Sequence, residues 1–344
     1  MKIVITGASG NVGTGLLRAL AGAPERHRVV GICRRPPPPR PPYDGIDWVA
    51  LDLGAPGAER RLAGEFAGAD AVVHLAWAIQ PVRDEAHLHR VNVDGTRAVL
   101  AAARTAGVGH VVHASSLAVY AAASGEQVDE RHPATGLAGS VYSRNKVAAE
   151  CLVSLFAAAN PEVTVTSLRP TLVTQRTASA SLTALFLGPL IGPPLVRLLG
   201  SRLLPVLPLP SPLRVQLVHA DDLGEAILSI LARRTSGAVN VAAPEVLTAA
   251  DVAAALNSRS VPVPARVVRP VVSALWRLRL LRCSPGWFDV ALTSPTLDTT
   301  RARAELGWQP RVSGQQALRE QLDGIAAGAE GDSPALRRTR LRRA

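Results

Sequence analysis

From Lys2 to Arg169, short runs of β-branched and aliphatic residues alternate with longer Ala-, Leu- and Arg-rich segments, a pattern that predicts parallel strands joined by helical crossovers. The predicted strands are Lys2–Thr6, Val29–Cys33, Trp48–Leu51, Ala71–Leu75, Val111–Ala114 and Val163–Leu168. Helices are predicted over Val12–Ala21, Glu85–Ala106 and Val141–Ala159, the last two long enough to pack in pairs across a homodimer interface. The proline run Pro36–Pro42 cannot be helical and reads as an extended surface loop.

From Thr171 to Pro212 the chain becomes rich in Leu, Pro and Gly. Pro189, Pro193, Pro194, Arg197 and Arg202 interrupt each apolar run before it reaches roughly twenty residues, so an apolar substrate wall or lid is predicted instead of a membrane span. A second stretch, Val268–Arg282, is basic and amphipathic. It reads as a structural helix of a second domain, with a place on a membrane surface as the alternative.

The balance of 47% hydrophobic against 19% charged residues predicts a folded globular chain. Its net charge of +11 raises the question of nucleic acid. Much of that excess sits at Arg337, Arg338, Arg340, Arg342 and Arg343, with no interleaved aromatic rings for base stacking, so a solvated tail is predicted and no nucleic-acid partner. Cys33, Cys151 and Cys283 are widely spaced with no companion histidines, which points to a reduced compartment and no metal site. An apolar strand begins at Ile3 and turns at Gly7, leaving no room for a leader, so a cytoplasmic protein without an integral membrane segment is expected.

The first chemical motif, Thr6-Gly7-Ala8-Ser9-Gly10-Asn11-Val12-Gly13, links a predicted strand to a predicted helix. Gly7 permits the turn, Gly10 lets backbone approach a pyrophosphate, Gly13 allows close packing, and the helix N-terminus offers free N–H groups to an anion. At the end of the second strand stand Arg34 and Arg35 where an acid would bind a free ribose hydroxyl, so NADP(H) is favoured over NAD(H). Asp52, with Leu53 beside it, follows the third strand, where a carboxylate can meet the adenine edge. His74, Leu75, Ala76 and Trp77 end the fourth, and Asn92 lies in the next helix; His74 and Trp77 have plain core readings as well.

Ala114, Ser115 and Ser116 end the fifth strand, and Tyr142 and Lys146 open the following helix. At i and i+4 the phenol and the ammonium share one helix face, where the cation can stabilise a phenolate. The only other lysine in this arginine-rich chain is Lys2, and a compact ammonium can hold ribose hydroxyls where a broad guanidinium cannot.

Together these residues resemble the extended short-chain dehydrogenase/reductases, the group containing NAD(P)-dependent epimerases and dehydratases and the 3β-hydroxysteroid dehydrogenases. The resemblance runs from "TGASGNVG" through "HLAW", "NVDGT", "HASSLAVY", "VYSRNK", "SLRPTLV", "VQLVHADDLGEAI" and "VNVAAPE" to "ELGWQPR". It implies a Rossmann-type doubly wound parallel sheet with a smaller, discontinuous C-terminal substrate domain. The expected division is 1–174 with 214–242 for the dinucleotide, 175–213 with 243–328 for the substrate, and a basic flexible tail at 329–344. The resemblance further implies that Tyr142 is the catalytic acid/base, that Lys146 binds the nicotinamide ribose, that Ser116 orients a carbonyl beside Ser115, and that Pro170 and Val173 line the nicotinamide pocket.

Two departures shape the expected activity. Dehydratases of the group carry an Asp-Glu pair after the catalytic Ser or Thr, but Leu117 and Ala118 follow Ser116. The apolar Thr174–Pro212 region favours carbonyl reduction or alcohol oxidation on an apolar small molecule. Arg197, Arg202 and Arg214 keep a nucleotide-sugar epimerase as the alternative, and a non-catalytic NADP-sensing regulator is the alternative of another class.

Overall fold

The computed structural model describes residues 1–79, 83–186, 194, 198, 205–211 and 213–337. Arg197, Arg202, most of the apolar Leu/Pro segment and the terminal arginines beyond Arg337 lie outside the described residues.

Seven parallel strands form the central sheet in the order Gly237–Val241, Thr164–Pro170, His110–Ala114, Ala71–His74, Lys2–Thr6, Arg28–Cys33, Asp47–Ala50. The chain leaves the first strand toward one edge and then returns to build the other, so the order reverses beside Lys2–Thr6. That reversal opens a crevice at the carboxyl ends of the strands.

Alternation along the strands supplies two cores, as a parallel sheet covered on both faces requires. Ile3, Ile5, Val73, Val112 and Leu168 pack with Leu16, Leu17, Leu223, Ile227 and Ile230 on one face. Val4, Val30, Val72, Val111 and Val165 pack with Leu62, Phe66, Val99, Val153 and Phe156 on the other. The fold is thus the predicted Rossmann-like α/β arrangement.

The helix Val141–Ala159 begins and ends where expected, with Ser140 capping it by accepting from the Ser143 N–H. The expected single helix over Glu85–Ala106 is instead Glu85–His89, a π-turn at Arg90–Asp94, and Gly95–Thr105. The widened turn coincides with Asn92, whose side chain is drawn out of the helix to the backbone of Ala78. The sixth strand runs past the expected end at Leu168 to Pro170, because Arg169 and Pro170 pair with Asn240 and Val241 of the edge strand, and Glu150 neutralises the buried Arg169 guanidinium.

Two motifs of the resemblance serve each other. Trp308 of "ELGWQPR" donates its indole N–H to the Asp222 carbonyl at 2.8 Å, and the Asp222 carboxylate accepts from the Arg311 and Val312 N–H groups at 2.9 and 3.0 Å. The expectation of a frayed tail from 329 onward needs correction. Ser333 is wholly buried and donates to the Ser9 carbonyl at 2.6 Å, and Leu336 is buried too, so the segment up to Arg337 packs beside the glycine turn. A buried leucine and a satisfied hydroxyl outweigh the polar composition around them.

Val268–Arg282 overlaps the helix Ala265–Arg277, which carries no buried residue. No helix among the described residues is long and apolar enough to cross a membrane, and no group of three His, Cys, Asp or Glu side chains there could hold a metal ion.

Candidate active site

The glycine turn lies between the strand Lys2–Thr6 and the helix Asn11–Gly22. Gly7 has φ +74°, and a Cβ there would stand 2.6 Å from the Ala76 nitrogen; at Gly13 it would stand 2.3 Å from the Ala8 carbonyl oxygen. Both positions therefore require the missing side chain. No side chain caps the helix that follows, so its first N–H groups have no capping acceptor among the described residues. Asn11 donates to the Val173 carbonyl at 2.9 Å and accepts from Gln175 at 2.7 Å, which ties the turn to the strand Leu172–Thr174.

Ser115 and Ser116 follow the strand His110–Ala114, and Tyr142 and Lys146 lie in the first turns of Val141–Ala159. The Ser116 hydroxyl, which accepts from the Ala118 N–H at 3.2 Å, lies close enough to the Tyr142 phenol to favour its ionised form. Burial pushes the phenol's pKa up, and the neighbouring Ser116 hydroxyl acts in the opposite sense. Lys146 donates to the Ala114 carbonyl at 2.7 Å and holds its ammonium 3.5 Å from the centroid of the Trp77 ring. Burial lowers the lysine pKa to about 7, while Glu150 acts to raise it.

Beneath this group lies a polar network that the sequence reading missed. Ser115 donates to one carboxylate oxygen of Glu150, and Arg169 donates to the other from two nitrogens. Arg169 also donates to the Tyr120 hydroxyl at 2.9 Å, which in turn donates to the Asn240 side-chain oxygen at 2.7 Å. Glu150 stands four residues after Lys146, so its place on the same helix face was legible from spacing. Its partner Arg169 was not, because that pairing depends on strand register.

Aromatic side chains surround the phenol. Trp287 stands 4.4 Å from Tyr142 between ring centroids, Trp77 meets Tyr142 edge-on at 6.2 Å, and Phe186 meets Trp287 edge-on at 5.0 Å. Trp287 and Phe186 come from distant parts of the chain and carried no signal in the sequence.

The remaining expected positions divide. Leu75 and Ala76 follow the strand Ala71–His74, and Ala114 and Pro170 end its neighbours in the central sheet; Val173 lies instead in the short strand Leu172–Thr174 of a separate two-stranded sheet, held to the glycine turn through Asn11. Arg34 and Arg35 are exposed just past the strand Arg28–Cys33. The Asp52 carboxylate accepts from the Gly54 N–H, and Leu53 is buried in the core. Asn92 has both side-chain polar atoms engaged with Ala78, at 2.7 and 2.8 Å, so it shapes the loop carrying Trp77. His74 is a core residue held between the hydroxyls of Thr6 and Thr96, and burial lowers its pKa to about 3.

A dinucleotide fits what is present. The uncapped helix start suits a pyrophosphate, and the buried Trp77 Nε1, Thr171 Oγ1 and Thr174 Oγ1 have no hydrogen-bond partner among the described residues. Fold and site together define a Rossmann-type α/β protein whose glycine turn suits a dinucleotide. Residues 3–242 match the NAD dependent epimerase/dehydratase family, and the chain belongs to that family. It is 29% identical over 323 residues to an uncharacterized protein of Mycobacterium tuberculosis strain H37Rv, covering 93% of this chain but only 29% of that protein's length. It is 34% identical over 173 residues to the 4-hydroxy-2-methyl-3-oxo-4-farnesyl-3,4-dihydroquinoline-1-oxide ketoreductase of Stigmatella aurantiaca, covering 49% of each chain. Among solved structures, the UDP-glucose 4-epimerase of Thermotoga maritima superposes with a TM-score of 0.71 at 16% identity, over 96% of this chain and 100% of that one, which speaks to the fold alone.

Proposed function

We propose that this protein is an oxidoreductase preferring NADP(H), which reduces a carbonyl on an apolar small molecule to the alcohol. The observation that carries the reading is Tyr142 and Lys146 one helical turn apart on Val141–Ala159, both gathered around the Trp77 ring that follows Ala76 at the glycine turn, with the Ser116 hydroxyl close to the phenol.

Ser116 would hold the substrate carbonyl oxygen, and Tyr142 would pass its phenolic proton to that oxygen as the alcohol forms. A phenol whose pKa is raised by burial keeps its proton at neutral pH, which suits the reductive direction. Lys146 would hold the ribose hydroxyls of the dinucleotide and, as an ammonium, stabilise the phenolate left on Tyr142. The reduced nicotinamide, when bound, supplies the hydride that adds to the carbonyl carbon.

The rings of Trp77, Trp287 and Phe186 around the phenol support an apolar substrate. The Stigmatella relative, whose name describes a ketoreductase acting on a farnesylated quinoline oxide, supports the same chemistry. Exposed Arg34 and Arg35 support the preference for a 2′-phosphate. In this reading residues 1–174 with 214–242 hold the dinucleotide, and 175–213 with 243–328 shape the substrate site. The exposed face of Val141–Ala159, where Leu155 is 62% open, supports a homodimer.

The test is a panel of apolar ketones, sterols and nucleotide sugars with NADPH. Loss of nicotinamide absorbance with the apolar ketones, absent in Tyr142→Phe, is the expected result. Isomerised sugar nucleotide without net absorbance change would replace this reading with the epimerase. Full turnover by Tyr142→Phe would remove the assigned chemistry.

A further inference from the structure

We propose that the helix Ala265–Arg277 is an interfacial anchor that lies on an anionic lipid bilayer and brings an apolar substrate to the catalytic phenol from that surface. The docking stands on its own observations, whereas the delivery of substrate rests on the function proposed above.

The helix contributes no buried residue, yet it is apolar on two sides. Val268, Val272, Leu275 and Trp276 are partly buried on the side toward the protein. Val267, Val271, Ala274 and Leu278 are exposed, the three larger ones by 54%, 54% and 68%. Val267, Val271 and Ala274 at i, i+4 and i+7 fall on one narrow stripe of the helix, Leu278 at its C-cap continues that stripe, and Leu280 just beyond is 58% open. A packing helix needs only the first side, so the second is left for something outside the chain.

Charge identifies what that is. Arg266 and Arg277 lie on one edge of the stripe, exposed and with no side-chain partner among the described residues. Arg269, by contrast, is spent on Asp289 through bonds of 2.7 and 2.9 Å, which also neutralises that carboxylate. An apolar stripe that enters the acyl boundary, rimmed by cations that meet acidic headgroups, is the pattern of a helix lying in an interface plane. A second copy of the chain suits it poorly. A two-fold contact along this helix would bring its arginine edges together, and four side chains fall far short of the roughly 800 Å² per partner that a stable interface uses.

The anchor is joined to both walls of the phenol pocket. The Arg269–Asp289 pair ties it to the helix Pro285–Thr293, whose Trp287 stacks on Tyr142. On its other side, the Arg83 guanidinium lies 4.1 Å from the ring centroid of Trp276 and donates to its carbonyl. Arg83 belongs to the connection that follows Trp77, so both rings flanking the phenol lie a few residues from the anchor.

The experiment is sedimentation of the full chain with vesicles of phosphatidylcholine alone or mixed with phosphatidylglycerol, at physiological ionic strength. The parent should sediment with the mixed vesicles. Val271→Ser with Leu278→Ser keeps the net charge and should weaken binding by about tenfold or more, since two apolar side chains no longer leave water. Arg266→Gln with Arg277→Gln should weaken it as well. All four sites are exposed, so unchanged thermal midpoints would show that the variants fold. Parent protein left in the supernatant overturns the proposal, and so does a serine double variant that binds like the parent, because bulk positive charge then suffices. A serine variant that loses self-association but not vesicle binding overturns it in favour of a second copy. Tyr142→Phe should sediment like the parent, which separates this outcome from any failure of the enzymatic reading.

Discussion

Lys146 aims its ammonium at the indole face of Trp77, 3.5 Å from the ring centroid, while donating to the Ala114 carbonyl. The π face substitutes for part of the water that burial removes from the cation. Trp77→Leu should therefore lower the lysine pKa below its present value of about 7. With only Lys2 and Lys146 in the chain, an NMR titration of labelled lysine would show two signals, one of them an internal reference. An unshifted Lys146 titration would show that the indole contributes nothing to the charge.

Stability should respond to the same group. Folded Lys146 releases its proton near pH 7, whereas the unfolded side chain keeps it to about pH 10.5. Unfolding thus takes up a proton between those values, and stability rises with pH across that window. Below it the full burial cost is present. Lys146→Met should melt at a higher temperature than the parent near pH 6, and the difference should shrink as pH approaches 10. Calorimetry at the two ends of the window checks it, and a gain independent of pH would contradict the buried-cation account.

Glu150 and Arg169 form a buried ion pair with side chains 8% and 7% exposed. Glu150→Gln strands the guanidinium and removes the acceptor of Ser115, so a loss of about 3–5 kcal/mol in urea unfolding is expected. Combining it with Arg169→Met should recover part of that loss, because no charge is then left unpaired. A double variant no more stable than the single one would argue against charge as the cause.

Acid should unfold the protein early. Burial holds the pKa of His74 at about 3 and that of His110 at about 4, and it lowers that of His113 well below the ordinary value of 6.5. Unfolded histidines gain protons from pH 6.5 downward while these three stay neutral, so stability falls as pH drops through 6.5 toward 4. His113 is wholly buried with neither ring nitrogen partnered among the described residues. A flat melting temperature between pH 7 and pH 5 would be the contrary result.

Arg34→Ala with Arg35→Ala tests the dinucleotide preference. Removing two charge-assisted contacts to a 2′-phosphate should raise the dissociation constant for NADPH by about tenfold or more and leave that for NADH nearly unchanged. Equal losses for both would show that the arginines do not read the phosphate.

Local information fixed the glycine turn, the helix Val141–Ala159 and the shared face of Tyr142 and Lys146, because each depends on neighbours within about two helical turns. Apolar runs likewise revealed six strands of the central sheet, since a strand buried on both faces needs only its own run to show; the edge strand Gly237–Val241 was not among them. Tertiary packing decided the rest. Arg169 found Glu150 through the register between neighbouring strands and a helix, Trp287 reached Tyr142 from 145 positions along the chain, and Ser333 reached Ser9 from the far terminus. Such contacts arise from where a folded surface places two segments, and no spacing along the chain encodes that distance. The same limit applied to Ala265–Arg277: its amphipathic pattern was visible from the start, but only the packed protein showed that one of its apolar sides remains uncovered.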